Sequence, residues 1–106
     1  MYISGGSNVY PREVEEALLT HDAVAEACVL GLPHPKWGES GVAVIVLADG
    51  VSVTESELLA HLDGRLARYK WPQLFVFWAE IPKSGYGKVP KKDVRERLER
   101  EKIIFS

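Results

Sequence analysis

Apolar positions along this chain fall on the helical period in three places and on the strand period in three more. Val14, Ala17 and Leu18 are spaced to share one helix face. Pro11 suits the first position of that helix, where its missing N–H would be unpaired in any case. Glu13, Glu15 and Glu16 sit in its opening turns, where the helix dipole favours negative charge, and the helix is predicted to stop near His21-Asp22. Thr54-x-x-Glu57 reads as a capping box opening a second helix, with Leu58, Leu59, Leu62 and Leu66 on its buried side. Pro90 can open a third, highly charged helix whose clear apolar contacts are Val94 and Leu98.

Val24 to Leu32 and Val42 to Ala48 read as strands separated by residues 33–39. The second is apolar throughout, as expected of a central strand covered on both faces. Leu74 to Trp78 reads as another strand, after a break at residues 68–72. Tyr2-Ile3 is a short apolar start that runs into a turn at residues 4–8, and Asp49-Gly50 marks a second turn. The order β-α-β-β-α-β-loop-α predicts an α+β fold, a small three-stranded sheet packed with helices, in one domain over residues 1–106.

Composition narrows the function classes. The 46% hydrophobic and 26% charged content is that of an ordinary globular domain, and no apolar run approaches the roughly 18 residues of a membrane span. The N-terminus carries no signal-peptide pattern, and Cys28 is the single cysteine, so a cytoplasmic location is expected. Net charge is −2, yet residues 1–64 carry −8 and residues 65–106 carry +6. A basic half can attract a polyanion, but a sequence pI near 5.9 and the absence of any nucleic-acid motif argue for nucleotide phosphates rather than DNA or RNA. His21, His34, His61 and Cys28 share no metal-ligand spacing, so no metal site is expected.

Two strings concentrate the chemistry. Pro82-Lys83-Ser84-Gly85-Tyr86-Gly87-Lys88 delivers a lysine from a Gly-Tyr-Gly turn just ahead of the basic last helix. It is not a G-x-x-x-x-G-K-[ST] phosphate loop, because Pro82 and Val89 occupy the defining positions. Gly5-Gly6-Ser7-Asn8-Val9-Tyr10-Pro11 is a glycine turn leading into a helix, and a Gly-Gly pair also lets a ligand approach the backbone closely.

With these strings 70 residues or more apart and the expected elements between them, the whole chain resembles the C-terminal domain of adenylate-forming (AMP-binding) acyl-CoA synthetases. The resemblance implies the small, mobile domain of an enzyme that joins a carboxylic acid to coenzyme A through an acyl-adenylate. Lys88 is then the catalytic cation of adenylation, with Gly85 and Gly87 shaping its loop. Gly5 and Gly6 line the tunnel for the coenzyme A pantetheine arm, and Trp37 either lies near the adenine of coenzyme A or packs over its own turn. Tyr69 and Trp71 stand where relatives often read aromatic-Lys-Arg/Lys-Pro. Tryptophan at 71 departs from that pattern, which removes the expected basic phosphate contact and leaves Tyr69 or Trp71 to stack on adenine instead. ATP with Mg2+ and coenzyme A are the implied co-substrates, none bound stably by this chain. The implied partners are its own N-terminal adenylation domain and a carboxylic acid substrate, with no nucleic acid and no membrane span. The chain, lacking that larger domain and the hinge, is expected to be inactive alone. A free-standing binding module of the same fold is the alternative, and an adenylation domain of a peptide synthetase is a more distant one.

Overall fold

The sheet is organised around one strand. In the computed structural model, which describes residues 1–83 and 90–105, Gly38–Leu47 (β4) pairs antiparallel along its whole length with Val24–His34 (β3). Gly38 also bridges Ser4 of the short strand Tyr2–Ser4 (β1). Since His34 already faces Gly38 in β3, β1 lies on the opposite side of β4. Further along β4, Val42–Ile45 pairs in parallel with Leu74–Phe77 (β5). Ser7–Val9 (β2) completes a hairpin with β1.

The sheet is therefore mixed and five-stranded, not three-stranded. β1 and β2 have three residues each and include Ser4, Ser7 and Asn8, so no alternating pattern marks them. What holds them is tertiary: Tyr2 and Val9 face each other in register and are both buried in the core. Tyr2 seats its ring where Gly31 and Gly41 leave room, and a methyl group at either glycine would collide with it. Burial, and then the charge of Glu39, push the Tyr2 hydroxyl up to about 12. The 33–39 connection is also shorter than expected, because β3 and β4 extend through Pro33 and Glu39. Proline is tolerated there because among the described strands β3 pairs with β4 alone, and an edge strand can turn a missing N–H outward.

The continuous apolar run of β4 is explained by a core on each side. Ala43 and Ile45 join Val29 of β3 beneath the helices Pro11–Leu19 (α1) and Glu55–Leu62 (α2). Val42, Val44 and Val46 join Cys28, Leu30 and Leu32 beneath Lys91–Arg100 (α3). The period-2 alternation of both strands divides their side chains between these two layers. α1 presents Val14 and Leu18, and α3 presents Val94 and Leu98, as fully buried i,i+4 pairs. Cys28 is buried, and that burial pushes its thiol up to about 11, far from a reactive thiolate.

Thr54 caps α2 by accepting the Glu57 N–H at 3.2 Å, while its hydroxyl, 3.3 Å away, faces the Glu57 carboxylate. At the far end of α1, the Thr20 hydroxyl donates to Ala17 O at 2.6 Å and lies 2.7 Å from His61 Nε2 on α2. With its one proton committed to Ala17, Thr20 accepts from an Nε2–H imidazole. Desolvation first, then Arg65 and His21, hold His61 below its ordinary pKa of 6.5, against smaller opposing pulls from the Ala17 backbone and then Asp22. The unfolded chain then binds a proton more readily than the folded one, so stability is full above about 6.5 and falls as pH drops below it. Urea midpoints compared at pH 7.5 and 5.5 should show this loss, and His61→Gln, which keeps a donor for Thr20, should reduce it. An unchanged difference would place the pH dependence elsewhere.

Candidate functional site

Gly5 and Gly6 form the two-residue turn between β1 and β2, with φ of +57° and +87°. Two positive φ values in succession are the pattern of a type I′ hairpin, which suits the twist of the flanking strands. A Cβ built on either glycine would meet nothing within 4 Å, so the turn faces open space. Its backbone is tied to the second candidate: the Gly5 N–H donates to Trp37 O at 3.1 Å. Two sites 32 positions apart in the chain are thus brought together where the β1–β2 and β3–β4 turns meet.

Trp37 is held by a small aromatic stack. Its ring lies nearly parallel to His34, 4.5 Å away at 9°, and Phe105 tilts against His34 at 5.1 Å. His34 Nδ1 accepts the N–H groups of Lys36 and Trp37 at 3.0 and 3.2 Å, so the imidazole itself shapes the turn. Trp37 remains 38% exposed, with the Lys36 ammonium 6.0 Å from its ring centre. The packing of a tryptophan over its own turn and the availability of that ring to a ligand therefore coexist.

Tyr69 and Trp71 flank Lys70 at the 3-10 turn Arg68–Lys70. Tyr69 is 55% exposed. Trp71 packs against the α1–α2 core layer, donates its indole N–H to Leu66 O at 2.9 Å, and carries the Arg68 guanidinium 5.1 Å from its ring. Lys70 pairs with Glu13 of α1 at 2.7 Å, and that hydrogen bond raises its pKa.

Lys88, Gly85 and Gly87 lie outside the described residues. On either side of them, Lys83 pairs with Glu26 of β3 at 2.5 Å and Lys91 pairs with Glu15 of α1 at 2.8 Å. Neither pairing is legible in the sequence, where Glu15 reads as a helix-opening charge and Lys83 and Lys91 as members of the basic half. Among the described residues no group of three or more His, Cys, Asp or Glu could hold a metal ion, and no helix is long and apolar enough to cross a membrane.

Residues 13–88 match the family described as AMP-binding enzyme C-terminal domain. A feruloyl-CoA synthase of Amycolatopsis is 48% identical over 98 residues, covering 92% of this chain and 20% of that protein. A solved Mycobacterium tuberculosis fatty acyl CoA synthetase superposes with a TM-score of 0.89 at 40% identity, over 95% of this chain and 20% of the other. ATP-bound MatB from Rhodopseudomonas palustris gives 0.88 at 37% identity, over 93% and 20%. The chain spans about a fifth of the length of the curated relatives it matches.

Proposed function

Because the chain belongs to the AMP-binding enzyme C-terminal domain family, we propose that it is the C-terminal domain of an ATP-dependent acyl-CoA synthetase. The reaction is carboxylate + ATP + CoA to acyl-CoA + AMP + PPi. The observation that carries this reading is the match of nearly the whole chain to one end-domain's worth of acyl-CoA-forming relatives.

In the first step the carboxylate attacks the α-phosphorus of ATP and pyrophosphate leaves. Two anions must meet, and Lys88 would place an ammonium between them, lowering both their repulsion and the charge that builds in the transition state. In the second step the thiol of coenzyme A attacks the acyl-adenylate and AMP leaves. Gly5 and Gly6 would then form part of the wall along which the pantetheine arm passes, where no side chain stands in the way. The Gly5–Trp37 backbone hydrogen bond supports this assignment, because it joins the glycine turn to the turn that carries a partly exposed aromatic ring, suited to a stacked adenine. Tyr69 offers a second exposed ring, whereas Trp71, with its N–H already bonded, would act mainly as support.

The two steps need different faces of the domain, so it would rotate against its N-terminal partner between them. Mg2+ would arrive with the nucleotide, and the described residues offer it no ligand set. Feruloyl and fatty acyl relatives share this domain, which fits an acyl pocket in the larger domain. A cytoplasmic setting, where ATP and coenzyme A are both available, suits the reaction.

The test compares the 106-residue chain with the complete polypeptide in which it is joined to an adenylation domain. ATP- and CoA-dependent AMP release with a panel of carboxylic acids is expected from the complete polypeptide and not from the chain alone. Ligand binding without turnover by the complete polypeptide would favour the binding-module alternative.

A further inference from the structure

Glu15 and Lys91 are 76 positions apart and belong to helices on opposite faces of the sheet, yet their side chains meet beside β3. Glu15 Oε2 accepts the Val29 N–H at 2.7 Å and the Lys91 ammonium at 2.8 Å. Lys91 Nζ also donates to Val29 O at 2.6 Å. Val29 stands opposite Ala43 in the ladder, and in an antiparallel pair a residue either exchanges both of its bonds with its partner or turns both away. Both outward groups of Val29 are taken by this one ion pair, which also blunts an edge that would otherwise offer them to another strand.

The three contacts join α1, β3 and α3 at a single point. α1 begins five residues after Gly6, and α3 begins three residues after Lys88. Resting on the reading of Lys88 as the adenylation cation, we propose that Glu15 and Lys91 are positioning residues that fix the start of α3 and so the region Lys88 can reach. Lys88 precedes Lys91 by three positions in the chain, so holding Lys91 against β3 fixes the point from which the segment leading into α3 departs. The side chains are 19% and 42% exposed, and ion pairs at such exposure contribute little to stability. Placement is where the pair acts, since displacing a reacting group by about 1 Å can cost about 10²-fold in rate. Lys83, before the same segment, is tied to Glu26 of β3, so of the residues flanking 84–89 one is ion-paired to β3 and the other to α1.

The test is a double-mutant cycle in the complete ligase, read by pyrophosphate exchange and by thermal unfolding. Lys91→Met should lower kcat for adenylation about 10- to 100-fold with the KM for ATP little changed. Lys91→Arg, which can still pair with Glu15, should retain most activity. Lys88→Ala with Lys91→Met together should be no slower than Lys88→Ala alone, because the second loss acts through the first. Should Lys91→Met fail to fold, Glu15→Gln keeps an acceptor for Val29 and removes only the charge, and its adenylation should fall in the same way. Wild-type adenylation in a folded Lys91→Met or Glu15→Gln enzyme, with Lys88→Ala inactive, overturns the positioning role and leaves the Lys88 assignment standing. Multiplicative losses in the double variant also overturn it, since Lys91 would then act on the reaction directly. Full adenylation in Lys88→Ala overturns the underlying reading instead.

Discussion

Lys88→Ala in the complete ligase is expected to slow acyl-adenylate formation about 10²- to 10³-fold, the range for removing a group that stabilises charge developing in a transition state. The same variant, supplied with preformed acyl-adenylate and coenzyme A, should form thioester at close to the normal rate. The asymmetry follows from the chemistry of the steps. Adenylation brings a carboxylate against a polyphosphate, where an ammonium at contact distance offsets repulsion in a water-poor site. Thiol attack on the adenylate passes through a different arrangement, for which the proposed rotation carries Lys88 away. Lys83 and Lys91, on either side of it, are poorly placed to compensate, because Lys83 is engaged by Glu26 and Lys91 by Glu15 and Val29. Pyrophosphate exchange and single-turnover thioester formation, measured on one preparation, check the prediction. Equal losses in both steps would remove Lys88 from its assigned role.

The sequence made the long elements legible because each has its own local signal. The apolar run Val42 to Ala48 reads as a strand covered on both faces, and β4, which holds all but its last residue, is covered by α1 and α2 on one side and α3 on the other. Thr54 and Glu57 announced the start of α2, although their carboxylate–hydroxyl contact replaces the expected reach back to the backbone. β1 had a place in the expected element order but not in the expected three-stranded sheet, and β2 was illegible, since three residues containing Ser and Asn carry no pattern and both owe their pairing to Tyr2 and Val9 in the core. The Gly5–Gly6 turn was visible, but its bond to Trp37 was not, because nothing local links positions 32 apart. The Glu15–Lys91 pair was hidden for the same reason: each residue, seen along its own helix, looks like one more solvated charge.

Gly6→Leu should separate conformational strain from obstruction of a ligand path. Gly6 has φ +87° with nothing within 4 Å of a built Cβ, so a side chain there starts in open space and meets backbone strain first. Gly64, just beyond α2, has φ +84° and the same open surroundings, away from the glycine turn of the β1–β2 hairpin. Both substitutions force an L-residue into the left-handed region at about 1–2 kcal/mol, so Gly6→Leu and Gly64→Leu should lose similar stability. If the β1–β2 turn lines the pantetheine path, only Gly6→Leu should impair thiol attack, on the order of 10²-fold as for a displaced reacting group. Its pyrophosphate exchange should stay near that of Gly64→Leu, since in the proposed cycle adenylation uses the other face of the domain. Measured together in the complete ligase, the two variants divide the possibilities. A matching loss of thiol attack in Gly64→Leu would make strain the cause. A fall in exchange as deep as the fall in thiol attack would remove Gly6 from the path of coenzyme A.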